Sequence, residues 1–411
     1  MFHPITLIIL VPLFAEFFLH TLADILNLRV LRDELPPAFK DVYDQERYQK
    51  SQEYLRVNTR FEWISSGTGL LCFLIFWFGK GFPFLDQWAR SLHQGPILTG
   101  ILFIGVLAII KSLLSLPFKV YATFVIEERF GFNRATWRVF SLDMLKGALL
   151  GIALGVPLVA GILAFFQYAG AYAWLYCWIA VTLFMLGVTF VAPTWIMPIF
   201  NKFSPLEPGE LRTAILSYAR SIDFPLENIY VMDGSKRSGK SNAFFTGFGK
   251  HRRIVLFDTL IEQHTISELV AILAHEMGHY KKRHILKTMI SGVIQAGFLL
   301  FLLSFFISYQ GLFDAFLMSQ KSIYGGVVFF AILYAPVDLM IGLFVKAWSR
   351  MNEREADRFA IETTRDPRSF STALKKLSVH NLSNLLPHPF YVFLHYSHPP
   401  ILERIKVIET G

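Results

Sequence analysis

The stretch from Gly147 to Asn201 reads GALLGIALGVPLVAGILAFFQYAGAYAWLYCWIAVTLFMLGVTFVAPTWIMPIFN and contains no Asp, Glu, Lys or Arg. A helical membrane span needs about 20 mostly apolar residues. The stretch is therefore too long for one span and predicts two, with a tight turn near Gln167 to Gly170. This pattern is typical of a polytopic, mainly α-helical membrane protein.

Five further apolar segments continue the pattern on both sides of this stretch. They run from Ile5 to about Leu26, between Glu62 and Lys80, from after Arg90 toward Val120, from about His284 to Tyr309 and from about Ile323 to Lys346. The composition agrees, because 54% of the 411 residues are hydrophobic and 17% are charged, against roughly a quarter in soluble domains. It argues against a soluble globular enzyme and against a disordered chain. The two cysteines, in apolar runs, argue against a disulfide framework.

The distribution of basic residues predicts how the chain is oriented. The loops after the first, third, fifth and seventh apolar segments are basic, whereas the other loops hold only Lys80, Arg90 and Lys321. The positive-inside rule then places the N-terminus outside and the C-terminus in the cytoplasm. The formal charge of +8 is accounted for by loops that face anionic lipid, so we expect a lipid bilayer and no nucleic acid as partner.

The chain divides into four parts on this basis. Residues 1–201 hold the first five spans with their cytoplasmic loops, 202–283 a soluble insert, 284–346 the last two spans, and 347–411 a helical tail. Within the insert, Asn228–Met232, Asn242–Thr246 and Arg253–Phe257 have the composition of short strands. A helical pattern follows from Ile266 to Tyr280. We therefore predict a small β-sheet beside this helix.

The strongest chemical signal is the sequence His275-Glu276-Met277-Gly278-His279 within that helix. Two histidines four residues apart lie on one helix face and can bind one metal ion. Glu276 lies beside them, where it can take a proton from a water molecule that the metal activates. This is the zincin spacing and predicts one zinc ion per chain. The alternative is a helix whose two histidines pair with nearby carboxylates.

A catalytic zinc ion takes three protein ligands, so a third must come from elsewhere. The candidate segment is Ser349-Arg350-Met351-Asn352-Glu353-Arg354-Glu355-Ala356-Asp357. Glu353 and Asp357 share a helix face, and Asp357 could accept a hydrogen bond from a ligand histidine and thereby set its tautomer. The spacing alone does not choose between Glu353 and Glu355 as the ligand. A charged, solvent-exposed helix is the ordinary alternative.

The chain resembles the type I CaaX prenyl endopeptidases, which are integral-membrane zinc proteases of the gluzincin group. The resemblance covers nearly the whole length. It rests on Glu127–Thr136 (EERFGFNRAT), Pro198–Phe203 (PIFNKF), Asp233–Ser238 (DGSKRS) with Ser241-Asn242-Ala243, Ser349–Asp357, and Ser397–Pro400 (SHPP) with Glu403-Arg404. It implies seven helices around a large intramembrane chamber that a zinc metalloprotease domain closes. It also selects Glu353 as the third ligand.

The resemblance assigns further roles to matching positions. Asn242 and Ala243 would lie on an edge strand that binds the substrate backbone by strand addition. His398 and Arg404 would bind substrate carbonyls, with His398 placed to stabilise the developing oxyanion. Taken without the resemblance, Asn242 is as well explained as a turn residue and Arg404 as a solvated charge.

The function expected is that of a zinc metalloendopeptidase that cleaves near the C-terminus of CaaX-type, prenylated or membrane-associated peptides. One alternative is a membrane quality-control protease, and another, of a different class, is a transporter or channel with structural zinc. The short loop after the sixth span and the absence of a Lys-Asp-Glu-Leu type signal favour a bacterial inner-membrane member, with the zinc domain in the cytoplasm.

Overall fold

The computed structural model describes residues 3–226, 228–246 and 253–410. Within these ranges, seven helical segments are long and apolar enough to cross a membrane, which confirms the count expected from the sequence. The N-terminal half contains α1 (Pro4–Arg29), α2 (Gln45–Phe78), α3 (Gly81–Ser91), α4 (Pro96–Tyr121), α5 (Trp137–Tyr168), α6 (Ala173–Val191) and α7 (Met197–Phe200). Two π-helical segments, Ala122–Glu127 and Ala192–Ile196, prolong α4 and α6.

The C-terminal half combines the sheet, the motif helix and the last two spans. Its elements are β1 (Phe203–Pro205), α8 (Glu210–Ser221), β2 (Asn228–Met232), β3 (Ala243–Thr246), β4 (Arg253–Phe257), α9 (Asp258–Gln263), α10 (Ile266–Lys281), α11 (His284–Phe306), α12 (Gln310–Ala315), α13 (Ile323–Thr364), α14 (Pro367–His380), α15 (Pro389–His395) and α16 (Ile401–Thr410). The three strands and the motif helix therefore lie where the sequence predicted them.

Two membrane helices are longer than the apolar segments that predicted them. Helix α2 begins at Gln45 because Asp44 caps it, accepting a hydrogen bond from the Arg47 backbone N–H at 2.7 Å. Helix α13 continues without a break from Ile323 to Thr364. The seventh span and the segment that carries Glu353 are thus one helix, and the division expected at residue 346 lies inside it.

The four strands form one small mixed sheet in the order β1-β2-β4-β3. The central strands β2 and β4 pair in parallel, with Tyr230 opposite Val255, and β3 pairs antiparallel to β4, with Ala243 opposite Leu256. Among the described residues β3 has a partner on one side only, so it is an edge strand. This is the position that strand addition requires.

The two largest apolar cores among the described residues lie in different parts of the molecule. One lies between the sheet, α10, α13 and α14, and is built from buried side chains such as Ile254, Leu256, Leu273 and Phe370. The other lies within the membrane bundle, where Trp77, Phe316 and Phe329 stack on one another. Because α13 crosses both regions, it connects the membrane bundle to the sheet domain.

Candidate active site

Helix α10 brings both motif histidines to the face that meets α13. A capping box at Thr265 and Glu268 begins the helix, and Leu269 and Leu273 anchor its opposite side in the apolar core. His275 and His279 are four residues apart, and their Nε2 atoms lie 3.1 Å from each other. The local sequence therefore places two imidazoles at a single point.

Helix α13 supplies a carboxylate at that same point. Glu353 is 4% exposed, and its carboxylate oxygens lie 3.3 Å from the Nε2 atom of His275 and 3.2 Å from that of His279. The side chain of Glu355 is 52% exposed and points elsewhere, toward His284. The structure thus brings Glu353, and not Glu355, against both histidines.

These three side chains fit a tetrahedral metal ion. Nitrogen and oxygen ligands bind zinc at about 2.0–2.2 Å, which separates two tetrahedral ligand atoms by about 3.3–3.6 Å. The observed separations are close to this length: 3.1 Å between the two Nε2 atoms, 3.3 Å from His275 to Oε2 of Glu353 and 3.2 Å from His279 to its Oε1. The Oε2 atom of Glu353 is also buried, and the polar contact recorded for it is the one with His275 at 3.3 Å. A cation at this point would satisfy that oxygen.

The pKa of His275 indicates that a metal ion must displace a proton from this imidazole. Burial alone lowers this pKa, but hydrogen bonding to Asp357 and Glu353 outweighs burial and raises it to about 9. In the metal-free protein the imidazole therefore holds a proton at neutral pH. Because a metal ligand must be deprotonated, we expect metal binding to release this proton and to weaken as the pH falls.

Glu276 lies beside the ligand histidines and is partly exposed. Burial raises the pKa of its carboxyl group, and the positive charges of His275 and His279 act in the opposite direction. A carboxylate whose pKa is raised accepts a proton more readily, which is the property that a general base needs. The role of Glu276 as general base stays a prediction.

A charged pair supports His275 from behind. The Asp357 carboxylate lies 2.8 Å from the Nδ1 atom of His275. Arg404 donates two hydrogen bonds to Asp357, at 2.8 and 2.6 Å. The structure therefore places Arg404 next to the site, with its Nε and one terminal nitrogen engaged by Asp357. Substrate binding by Arg404 stays a prediction.

His398 reaches the same site from the segment after α15. Its side chain is 60% exposed, and its Nε2 atom lies 3.4 Å from a Glu353 oxygen. Two cations on α13 hold this segment, because Lys346 donates to the Leu394 carbonyl and Arg350 to the Tyr396 carbonyl, each at 2.6 Å. An exposed imidazole beside the ligands is available to a bound substrate.

The predicted substrate residues on the sheet lie at its edge. Asn242 is exposed directly before β3, and its carbonyl accepts a hydrogen bond from the Phe257 backbone N–H at 3.1 Å. Ala243 is the first residue of the strand. Nearby, Lys240 donates to the hydroxyl of Tyr54 at 2.8 Å and pairs with Glu127 at 3.1 Å. This network ties the edge strand to the membrane helices.

Neither the contacts of Lys240 with Tyr54 and Glu127 beside the edge strand nor the contact between His284 and Glu355 was predicted from the sequence. Lys240 lies between Asp233–Ser238 and Ser241-Asn242-Ala243, two segments that carry the family resemblance. This position in the sequence could have drawn attention to it. His284 follows His279 by five residues, but it was assigned only as the start of a span.

Polar side chains also line a cavity between the membrane helices. This cavity, of about 620 Å³, is bounded by Glu16, His20 and Asp24 on α1, by Glu62 on α2 and by His395 on α15. Asp24 accepts a hydrogen bond from the indole N–H of Trp63 at 2.9 Å. Charged residues in membrane segments usually face such interiors. Ionisable side chains thus line part of a mostly apolar cavity at this level.

Two histidines four residues apart on one helix, which meet a buried glutamate from a second helix within a bundle of seven apolar helices, are the arrangement of an integral-membrane metalloendopeptidase. Comparison with known proteins agrees with this class. Residues 24–202 match the family described as CAAX prenyl protease N-terminal, five membrane helices, and residues 205–410 match Peptidase family M48. The chain belongs to the CAAX prenyl protease 1 family of M48 peptidases.

Individual relatives match over most of their length. CAAX prenyl protease 1 of Saccharomyces cerevisiae is 34% identical over 92% of this chain and 88% of its own, and the CAAX prenyl protease 1 homolog of Homo sapiens is 31% identical over 92% and 89%. The crystal structure of S. mikatae Ste24p superposes with a TM-score of 0.92 at 31% identity, covering 99% of both chains.

These findings confirm the predicted family, fold class and enzyme class, and they leave the transporter alternative without support. M48 peptidases are metallopeptidases, so the site is that of a metal-dependent enzyme. The relatives compared are eukaryotic, so the expectation of a bacterial member is not borne out.

Proposed function

We propose that this protein cleaves peptide bonds near the C-terminus of membrane-associated CaaX-type substrates, at one zinc ion held by His275, His279 and Glu353. The observation that carries the proposal is the convergence of these three side chains beside Glu276: the two Nε2 atoms lie 3.1 Å apart, and each lies 3.2–3.3 Å from one of the two Glu353 oxygens. The names of the relatives, which are CAAX prenyl proteases, support the substrate class.

Each residue of the site has a separate task in this proposal. A zinc ion bound there would act as a Lewis acid on the scissile carbonyl and lower the pKa of a water molecule. Glu276 accepts the proton of the attacking water and passes it to the leaving amine. His398, exposed beside Glu353, donates a hydrogen bond to the oxygen on which negative charge develops. Asp357 holds the proton on the Nδ1 atom of His275, which keeps its Nε2 free for the metal.

The substrate backbone binds to the open edge of β3 by strand addition. Asn242 and Ala243 offer backbone groups at the start of this edge, and the network around Lys240 holds the strand in position. In this proposal Arg404 acts mainly through Asp357, while its remaining nitrogen is available to a substrate carbonyl.

The membrane chamber suits a peptide that carries a lipid. Its helices are rich in Phe and Leu, and the mostly apolar cavity beside Glu16 and Asp24 also holds several ionisable side chains. Each buried CH₂ of a prenyl group contributes about 0.8 kcal/mol relative to water. The lipid must, however, leave a bilayer that solvates it equally well, so the net gain appears as positioning of the peptide. Prenylation is therefore expected to improve cleavage without being essential.

The orientation of the molecule follows from its basic loops. In this proposal the soluble insert, residues 202–283, and the helical tail, residues 347–411, face the cytoplasm, and nucleic acid is not a partner. Reporter fusions after Arg56 and at the C-terminus should report cytoplasm, and a fusion after Arg90 the opposite side. A reversal at any position would contradict the orientation.

Three substrates test the proposed function. Purified protein is offered a farnesylated CaaX peptide, its unprenylated twin and an unfolded membrane protein, and steady-state rates are compared. We expect both peptides to be cleaved, the farnesylated one faster. Equal rates for the two peptides, together with cleavage of the unfolded protein, would favour the quality-control protease.

The metal ligand is tested separately from the substrate. Glu353→Ala should lose zinc, as measured by metal analysis of the purified protein, and should lose cleavage of both peptides. Full zinc occupancy in this variant would remove Glu353 from the site. Glu362→Ala, an exposed carboxylate further along the same helix, serves as the control.

A further inference from the structure

A second pair of side chains lies behind the other ligand histidine. The Nδ1 atom of His279 lies 3.1 Å from the Nδ1 atom of His284. The Nε2 atom of His284 in turn lies 3.1 Å from a Glu355 carboxylate oxygen. Together these three residues form a continuous chain of polar contacts that leads away from the site.

His284 does not belong to the ligand set. His279 faces His275 and Glu353 through Nε2 and contacts His284 through the opposite ring nitrogen. Among the described residues, the group whose ligand atoms lie within 4.8 Å of one another contains His275, His279 and Glu353. His284 therefore acts on the site through His279.

The positions of the protons follow from this geometry. A histidine that binds a metal through Nε2 carries its hydrogen on Nδ1, so His279 must donate to His284. His284 then accepts through Nδ1 and keeps its own hydrogen on Nε2, from which it donates to Glu355. A single tautomer at each ring satisfies every contact.

We propose that His284 and Glu355 are positioning residues that hold His279 in the tautomer and ring orientation required for metal binding. This inference rests on the metal site proposed above. It gives His279 a support equivalent to the one that Asp357 and Arg404 give His275. Each of the two histidines thus has its own contact at Nδ1.

The chain geometry between the two histidines shows that this contact is built into the fold. Arg283 adopts a left-handed backbone conformation with φ of 58°, which ends α10 and begins α11. This conformation is unfavourable for a residue other than glycine. The turn directs the side chain of His284, which is 3% exposed, back onto His279. The first residue of the sixth membrane helix thereby supports the metal site.

Zinc affinity of the purified full-length protein tests the proposal, measured by competition with a chromogenic chelator. Loss of an outer partner of a metal-bound histidine typically weakens binding about 10–100-fold. We expect His284→Leu, which fills space but accepts no hydrogen bond, to lose about this much. His284→Asn, whose Oδ1 can replace the accepting nitrogen, should lose clearly less. A residue needed only for packing would give the opposite order.

Glu355→Ala provides a second test that leaves the buried core unchanged. Because Glu355 is half exposed, water replaces part of its contact, and we expect a loss of about 3–10-fold in zinc affinity. Glu362→Ala on the same helix is the matched control and should bind zinc as the unmodified protein does. The absorption spectrum of the cobalt-substituted protein gives a second readout, and it should change in His284→Leu but not in the control.

The outcomes separate this inference from the proposed function. Loss of zinc in Glu353→Ala, combined with unchanged affinity in folded His284→Leu, would overturn the role of His284 alone. If His284→Leu does not fold, equal affinities for Glu355→Ala and Glu362→Ala would overturn it. Full zinc occupancy in Glu353→Ala would overturn the metal site and this inference with it.

Discussion

Gly278 controls how closely the two ligand-bearing helices approach, and Gly278→Ala should therefore impair the site without touching a ligand. Gly278 lies between the ligand histidines on α10, against α13. An added Cβ atom would lie 3.3 Å from both the Cα and the carbonyl oxygen of Ala356, and 3.1 Å from the ring of Phe359. The ring can rotate away, but the backbone of Ala356 cannot.

The size of the effect follows from these distances. Carbon atoms in contact prefer about 3.5–4.0 Å, so the helices must separate by roughly 0.3–0.5 Å. Glu353 lies one turn before Ala356, so the separation of 3.2 Å between His279 and Glu353 grows by a similar amount. A displacement of 1 Å costs about 100-fold in rate, and 0.3–0.5 Å therefore costs about 4–10-fold.

The expected change in stability is smaller than the change in activity. Overpacking costs about 1–3 kcal/mol, and replacing glycine by alanine within a helix returns about 1 kcal/mol. The net loss in the free energy of unfolding is then roughly 0–2 kcal/mol. The variant should remain folded, so its activity can be measured.

The assay compares peptide cleavage and zinc affinity of Gly278→Ala with those of Gly292→Ala. Gly292 lies on the membrane helix α11, and no atom lies within 4 Å of the position its Cβ would occupy. The control should match the unmodified protein in both measurements. If Gly278→Ala also matches the unmodified protein, α10 and α13 accommodate the added methyl group without moving. The close approach of the two helices then does not set the ligand geometry.

Three other perturbations have defined outcomes. Glu276→Gln should keep its zinc by metal analysis and lose about 100-fold or more in turnover, the scale of general-base loss, and near-normal turnover would exclude Glu276 as the base. Arg404→Lys removes the two-nitrogen guanidinium fork that donates to both oxygens of Asp357. Chelator competition should then show zinc bound about 10-fold more weakly, because Asp357 orients His275 less well. Unchanged zinc affinity would refute a role of Arg404 in supporting Asp357. Burial and nearby positive charge lower the pKa of His380 to about 4, so the folded protein loses stability as the pH falls from about 6.5 toward 4. Thermal unfolding of His380→Gln should be less sensitive to pH in this window, and equal pH dependence would contradict the assignment.

The sequence was sufficient for features that depend on local periodicity. Apolar length predicted the seven spans, and the spacing of four residues predicted that His275 and His279 share a helix face. Strand composition predicted β2 and β4 with their observed bounds. Each of these features is determined within a single helix or strand, so the residues close in sequence are sufficient to predict it.

Features that depend on packing between elements were not accessible in the same way. Spacing placed Glu353 and Glu355 two residues apart on an acidic helix, but only the position of α10 against α13 separates their roles. The contact between His279 and His284 depends on the left-handed backbone conformation of Arg283. Residue type does not indicate this conformation, because residues other than glycine adopt it rarely. Arg404 likewise meets Asp357 only because the C-terminal helix packs beside α13.

Both ligand-bearing helices are mechanically continuous with membrane spans, and this continuity makes the site sensitive to the bundle. Helix α13 is itself the seventh span, and α10 leads into the sixth through two residues. Asp338 lies fifteen residues before Glu353 on a rigid helix, which corresponds to about 22 Å. A tilt of about 1° at that level moves Glu353 by roughly 0.4 Å, as much as the added methyl group of Gly278→Ala. Two contacts around the site oppose such a tilt. Gly278 packs closely against Ala356, and Lys346 donates a hydrogen bond to the carbonyl of Leu394. A lipid that enters the bundle and tilts either span would therefore alter the ligand geometry, so prenylation of the substrate should affect turnover more than binding.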